Sequence, residues 1–285
     1  MWWKLAVSIV VVLAVLASGA VIYGRKRRQS EMKGLQLRLE NARVPIAPGS
    51  YDPKTLAGLP APVQRYFRTV LKKGQPLVVA AHVEHEGTFN MSEAGEKWKP
   101  FTSSQYAVTA RPGFLWDARI RMAPSMTALV HDAYIEGEGM LAAKLFGLLT
   151  IMEQPSTPEL AQGELMRFFA EAVWYPTALL PGRGVVWQGI DGSRARASIV
   201  DGGTAVELVF TFNSDGLITR VRSEGRFRET DGVMTPMPWE GSFWDYEERD
   251  DMLVPIEGEV AWITEDGPLP YWRGSIRKIE YEYAE

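Results

Sequence analysis

The chain has 285 residues, 46% hydrophobic and 23% charged, which excludes a disordered or fibrous protein and fits one membrane segment plus one large β-rich domain. Its net charge of −4 is uneven: the first 43 residues carry eight Lys/Arg against two Glu, or +6, so the rest carries −10, and an acidic body argues against nucleic acid as a partner. There is no cysteine, which excludes disulfides, thiol nucleophiles, cysteine-ligated metals and acylated-cysteine anchors.

Leu5–Tyr23 is a stretch without a charge, long enough at about 1.5 Å per residue to cross a hydrocarbon core of about 30 Å. Trp2, Trp3 and Tyr23 sit where interfacial aromatics belong. Residues 1–24 are therefore expected as a transmembrane anchor, with the membrane bilayer as partner through residues 5–23. The rival reading is a cleaved signal peptide with Ala17-Ser18-Gly19-Ala20 as its small-residue site, although the apolar run continues past that site. Arg25-Lys26-Arg27-Arg28 outweigh Lys4, so the positive-inside rule sets the soluble domain in the cytoplasm. The two flanks are close in charge, which leaves the periplasmic or extracellular side open.

Residues 25–50 read as a basic connector with a helical extension through Met32–Asn41, and 51–285 as one β-rich domain. Asp52-Pro53 and Pro60-Ala61-Pro62 resemble helix starts. Val63, Phe67, Val70 and Leu71 then share a face and Gly74 is a natural stop, giving a helix over about 62–73. From Leu77 the period changes to two. Strands are expected through 77–91, 98–110, 114–122, 126–137, 184–190, 194–200, 204–212, 217–229, 239–248, 255–264 and 273–283. The turn signals between them are short, among them Asp201-Gly202-Gly203 and Thr230-Asp231-Gly232, and short turns imply antiparallel neighbours. In 114–122, Phe114, Trp116, Ala118, Ile120 and Met122 face one way, and Asp117, Arg119 and Arg121 the other. In 217–228, Leu217, Val221 and Phe227 oppose Arg220, Arg222, Glu224, Arg226 and Arg228. This is a sheet wetted on one side.

Leu141–Met152 breaks the order. It is nearly all apolar and reads as a short helix or a lid. The long amphipathic helix follows at about 158–175, with Thr157 as N-cap and Pro158 in the first position. Ala161, Leu165, Phe168, Phe169, Ala172 and Val173 form its apolar face. Glu164, Arg167 and Glu171 form another, at ion-pair spacing. The expected fold is mainly β (α+β): a large curved antiparallel sheet, half-barrel or open barrel, covered by one or two helices behind the transmembrane helix.

The chemistry-bearing residues give no strong motif. His82 and His85 point to opposite faces of one strand, and so do His131 and Asp132, so no metal site is expected. There is no Gly-x-Ser-x-Gly elbow and no phosphate loop, and no cofactor is expected. Glu136, Glu138, Glu164, Glu171, Glu240, Glu257 and Glu259 could supply a carboxylate pair for acid–base chemistry. Their other reading is cross-strand pairing with the arginines. Eight tryptophans lie in the body. They read either as core or as the wall of an apolar cavity.

The stretches Trp98-Lys-Pro-Phe101, Pro112-Gly-Phe114 to Met122-Ala-Pro124, Thr157-Pro-Glu-Leu-Ala161, Ala170 to Pro181, Pro238-Trp-Glu-Gly241 and Tyr271-Trp-Arg-Gly274 resemble an uncharacterised bacterial domain-of-unknown-function family. The resemblance covers about residues 58–283 and brings no catalytic residues. At a coarser level the expected architecture is similar to the lipoprotein-carrier half-barrels, which hold acyl chains.

These readings converge on a membrane-anchored, non-catalytic binding module for a lipid or other apolar small molecule. Trp116, Phe168, Trp174, Trp187 and Trp262 are the wall candidates, and Arg119 or Arg273 could meet a head group. The alternatives are a structural or assembly protein of the cell envelope acting through a protein partner the sequence does not identify, and a hydrolase using paired carboxylates.

Overall fold

The alternation at Phe114–Met122 generates the sheet: the apolar set lies on its concave face with the main core, while Leu115 and Asp117 lie on the convex face. The computed structural model describes residues 2–92, 95–124, 126–230 and 232–284. Asp231 of the expected turn, and residues 1 and 285 at the expected domain bounds, lie outside these. The described residues form thirteen strands and three α-helices. The strands are β1 (Val78–Asn90), β2 (Trp98–Val108), β3 (Gly113–Ala123), β4 (Met126–Ile135), β5 (Glu138–Leu145), β6 (Leu149–Gln154), β7 (Val186–Gly189), β8 (Arg194–Asp201), β9 (Thr204–Phe212), β10 (Ile218–Thr230), β11 (Val233–Arg249), β12 (Met252–Thr264) and β13 (Gly267–Tyr283). They make one sheet in the order β6-β5-β4-β3-β2-β1-β13-β12-β11-β10-β9-β8-β7. Every pairing is antiparallel, as the short turns require. β6 and β7 are the edges, so the sheet curls into a half-barrel without closing.

Helix α3 (Pro158–Glu171) lies in the concavity. It packs on β3, β4 and β5 at one side and on β9 and β10 at the other, so it bridges the gap that an unclosed sheet leaves. Thr157 accepts the Leu160 N–H at 3.2 Å as the cap. Short 3-10 turns follow to Arg183. Helix α2 (Ala61–Val70) covers the strands β8 and β12 and fixes Phe67 against Trp187 and Tyr66 against Phe212.

Helix α1 runs unbroken over Trp2–Ala42, so no connector separates the apolar segment from the domain before residue 43. Its second half docks on the convex face. Met32, Leu35 and Leu39 pack with Ala80, Val108, Leu115, Ala133, Ile135 and Met140. Arg28 is buried there; its guanidinium donates to Asp117 Oδ1 (2.5 Å), to Val130 O (2.9 Å) and to His131 Nδ1 (2.7 Å). Burial and the Arg28 charge hold the His131 imidazole below its ordinary range, which keeps Nδ1 free to accept. Lys144 reaches Glu31 at 2.8 Å, and Arg43 reaches Glu282 at 2.8 Å.

The direction of α1 follows from two close approaches. A β-carbon on Gly24 would stand 2.3 Å from Phe146 O, in the β5–β6 turn, and one on Gly113 would stand 2.8 Å from Leu39 Cδ1. The β5–β6 turn shares one end of the sheet with the β1–β2, β3–β4 and β12–β13 hairpins, because the rung Gly274–Gly87–Phe101–Ile120–Ala128–Leu145 crosses the sheet just below all four. The apolar half of α1 therefore leaves the domain at that end.

Leu141–Met152 is neither helix nor lid: it forms most of β5, the following turn and most of β6. Leu141, Ala143 and Leu145 face the concavity while Met140, Ala142 and Lys144 face α1. A strand covered on both sides loses its polar alternation and reads as a continuous apolar run. Arg226 also departs from expectation. The register shift between Ser223 and Arg226 is a bulge that turns Arg226 inward, where it is 8% exposed. β11 begins at Val233 rather than 239.

Candidate functional site

Between α3 and the curled sheet lies a cavity of about 440 Å³, within the range of roughly 300–1,000 Å³ typical of small-molecule sites. Its walls come from both halves of the sheet. β3–β6 give Trp116, Ile120, Val130, Leu141, Ala143 and Met152; β11–β13 give Trp239, Phe243, Val260, Trp262, Tyr271 and Trp272. The aromatic wall is interlocked. Trp262 stacks on Tyr271 with centroids 5.9 Å apart, Trp239 Nε1 donates to Tyr271 OH at 2.9 Å, and Trp174 stands perpendicular to Phe243. The mouth is at the hairpin end. Met91 and Met152 line the cavity and are also exposed. Met126, Leu149, Ile151 and Val233 are exposed on neighbouring hairpins.

One side of this apolar space is charged, and α3 supplies most of it. Glu164, Arg167 and Glu171 recur at i, i+3 and i+7, so they share a face. That face looks into the cavity rather than into solvent. Arg167 donates to Asp132 Oδ2 on β4, to Glu171 (2.8 Å) and to Gln105 Oε1 (3.2 Å), and Gln105 Nε2 donates to Glu171 (2.7 Å). Its guanidinium lies 4.8 Å from the Phe114 ring centroid and 4.9 Å from that of Trp116. Arg226 donates to Glu164 Oε1 at 3.2 Å and lies 4.8 Å from the Trp239 ring centroid. Burial pushes the Glu164 carboxyl well above the usual carboxylate range, and the Asp132 charge beside it pushes further. Near the same wall, burial and then the Arg167 charge pull His85 down to about 3, so it is a neutral ring packed on Trp174.

Five buried polar atoms on the cavity-lining residues have no protein partner: Asp132 Oδ1, Glu164 Oε2, Arg226 Nη1, Trp116 Nε1 and Trp174 Nε1. Such atoms cost roughly 1–3 kcal/mol each when left unpaired, and these five lie just behind the surface of the cavity wall. Among the described residues, no group of three His, Asp or Glu could hold a metal ion.

Trp116, Trp174 and Trp262 are brought together on the cavity wall. Phe168 is buried against Tyr175, outside the lining. Trp187 sits in the core against Phe210, its Nε1 donating to Leu179 O at 3.0 Å. Arg119 is exposed on the convex face. Arg273 is exposed too, stacked 4.4 Å from the Trp98 centroid and bonded to Glu259 at 2.5 Å. The arginines that line the cavity are instead Arg167, Arg226 and Arg228, the last 5.6 Å from the Trp262 ring centroid. The i,i+3 and i,i+7 spacing showed that Glu164, Arg167 and Glu171 share a face, but not which way the face points. Gly225, inside a charged strand, was the signal for the bulge that brings Arg226 in. Elsewhere the carboxylates pair across strands with arginines, as Arg196–Glu207 and Arg220–Glu240 do at 3.0 Å.

Fold and site together define a half-barrel with a helix-covered internal cavity, behind one N-terminal apolar helix that is a membrane span or a signal sequence by length and composition. Residues 57–281 match a family of unknown function, DUF6920, and the chain belongs to that family. The curated proteins give no match. Two solved structures are similar. One is a "putative outer membrane lipoprotein-sorting protein domain" from Vibrio parahaemolyticus, at 9% identity over 71% of this chain and 85% of that one, with a TM-score of 0.37. The other is a β-barrel-like protein of the domain of unknown function DUF1849 from Brucella abortus, at 12% identity over 72% and 99%, with a TM-score of 0.18.

Proposed function

We propose that the protein is a non-catalytic, membrane-tethered binding module for a lipid or other apolar ligand. The observation that carries this is the cavity of about 440 Å³ walled by Trp116, Trp174, Trp239, Trp262 and Trp272. The course of α1 supports it. With residues 5–23 in a bilayer, the docked half of the helix holds the domain so that the hairpin end, and with it the mouth, faces the membrane. Met91, Met126, Leu149 and Ile151 are then the residues nearest the lipid. The charge balance puts the domain on the cytoplasmic side, which a C-terminal reporter tests; activity of a periplasm-dependent reporter alone would reverse it.

Two measurements test the module. Native mass spectrometry of the full chain, released from nanodiscs, should show an adduct that organic extraction removes; a protein that stays apo after incubation with membrane lipids refutes the reading. The absence of cysteine makes single-cysteine labels specific. Labels at Met126→Cys and Leu149→Cys should be quenched by a bilayer-borne quencher, and one at Arg111→Cys, at the opposite end, should not. Equal quenching at all three overturns the orientation.

A second reading, a hydrolase with paired carboxylates, rests on Asp132 and Glu164 converging in the cavity. Each is already held by an arginine, Arg167 and Arg226, which leaves neither free as a base. Turnover of a lipid ester that Glu164→Gln abolishes would establish it.

A further inference from the structure

Resting only on the membrane tether of the reading above, we infer that the foot of α1 and the end of β3 form a binding surface for the anionic phospholipid head groups of the leaflet the helix enters. Five exposed cations lie there: Arg25, Lys26 and Arg27 on α1, and Arg119 and Arg121 on the convex face of β3. Arg28 fixes their level, since its bond to Asp117 sets one turn of α1 beside that residue of β3. Helix and strand run in opposite directions, so from that point Gly24 and the end of β3 both lie toward the hairpin end. Gly24 is about 6 Å further along the helix. Arg119 and Arg121 are about 7 Å and 13 Å further along the strand. All five cations therefore stand between Asp117 and the hairpin tips, where the apolar half of α1 leaves the domain.

What marks these residues is that the protein supplies them no acid. Elsewhere on the sheet exposed arginines meet a carboxylate on the next strand: Arg196 meets Glu207, Arg220 meets Glu240, Arg273 meets Glu259 and Arg277 meets Glu86. Arg119 instead stands between Thr102 and Leu129, and Arg121 beside Thr127. Asp117 and Glu31, on the same face, are taken by Arg28 and Lys144. Among the described residues no ion pair involves any of the five. Glu153 of β6 is level with Asp117 along the rung Asp117–His131–Ala142–Glu153 and lowers the local sum from +5 to +4. The acidic turn residues Glu265 and Asp266 share the hairpin end, but β13, β1 and β2 separate them from β3. On the basic side Met126, Leu149 and Ile151 are exposed. Cations beside exposed apolar tips suit a bilayer surface, where the tips enter the acyl boundary and the cations meet phosphates. An acidic protein would match the charge alone.

The test uses the full chain in nanodiscs of phosphatidylcholine and phosphatidylglycerol, mixed equally and with the same acyl chains. Native mass spectrometry after release counts the lipids that leave with the protein. Phosphatidylglycerol should exceed phosphatidylcholine about twentyfold or more. One cation near an anionic surface is worth about fivefold in binding. Arg119→Gln and Arg121→Gln should each cut the excess by about that factor, and the double variant should come close to even. Arg119→Lys with Arg121→Lys keeps the charge and should keep the excess. Gly241→Leu, which sends a side chain into the cavity, should keep it too. Release into about 1 M ammonium acetate, where the Debye length is about 3 Å, should bring the unaltered protein close to even, and this arm needs no variant. Even retention on the unaltered protein, or an undiminished excess in the double glutamine variant, overturns the surface. An excess lost in Gly241→Leu moves the anionic lipid into the cavity, which overturns the surface and leaves the binding module standing. A chain that does not enter the nanodiscs removes the tether and this surface together.

Discussion

Replacing Arg28 by Met tests the docking of α1, on which the orientation of the mouth depends. Arg28 is 5% exposed and makes three bonds to the sheet, to Asp117, Val130 and His131. Methionine keeps much of the aliphatic stem and removes all three. Breaking a buried ion pair by deleting one partner costs about 3–5 kcal/mol. The Asp117 side chain is 30% exposed and regains water, so the lower end applies, about 3 kcal/mol. That is about two decades in a local opening equilibrium. Hydrogen exchange of the full chain in nanodiscs reads it directly: amides in the stretch around 24–33 should exchange on the order of a hundredfold faster. Those near Leu39 should change much less, since Leu39 sits in its own apolar cluster. Unchanged exchange around Arg28 would refute the docking, and uniform acceleration along 24–42 would refute the idea that Arg28 is a separate clamp.

Glu164→Gln should flatten the pH dependence of stability. A carboxyl whose folded pKa is raised contributes stability that is fully present below its unfolded value near 4.5 and lost as pH rises through the folded value. Thermal melts from pH 4.5 to 9 should therefore fall for the parent protein relative to the variant, and parallel curves would contradict a raised Glu164. Thr157→Ala removes the α3 cap and should cost about 1 kcal/mol in denaturant unfolding; no change would mean Pro158 alone starts the helix. Gly241→Leu sends a side chain into the cavity beside the Phe243 ring, where a β-carbon meets an ordinary 3.5 Å contact. It should lower ligand occupancy more than tenfold, about 1.4 kcal/mol, by native mass spectrometry, with an unchanged melt; full occupancy would place the ligand elsewhere.

The sheet was legible wherever one face of a strand meets water. Phe114–Met122 alternates because Arg119 and Arg121 are solvated, so its bounds and its inner face both follow from spacing. β5 was hidden by α1, which packs on Met140 and pairs Glu31 with Lys144, and β6 by being an edge strand whose Leu149, Ile151 and Met152 are apolar yet exposed. The basic run before Met32 read as a connector because charge suggests solvent, yet Arg28 is buried on Asp117. α3 shows the limit of helical periodicity. The spacing of Glu164, Arg167 and Glu171 is the same whether their face looks outward or into a cavity, and only Asp132 and Arg226, brought from strands 35 and 62 residues away in sequence, decide between the two. Of the candidate wall, Trp116, Trp174 and Trp262 were found through their type and neighbourhood. Trp187 has the same composition around it and fills core instead, because α2 reaches it through Phe67.

If the protein is the membrane-tethered binding module proposed above, the unbroken course of α1 also limits where its domain can go. A domain on a flexible leash of n residues wanders about 5–6 Å × √n from its anchor, and could ferry cargo across a gap. Here the helix goes from Tyr23 straight into its docked half at Gly24, which leaves the leash with no slack. On the proposed reading, with residues 5–23 in a bilayer, a binding module held this way stays at that bilayer and cannot swing a ligand to a second one. Anything receiving the ligand would have to come to it, by lateral diffusion in the same leaflet or by pressing its own surface against the hairpin end, and such an encounter would be governed by a two-dimensional search.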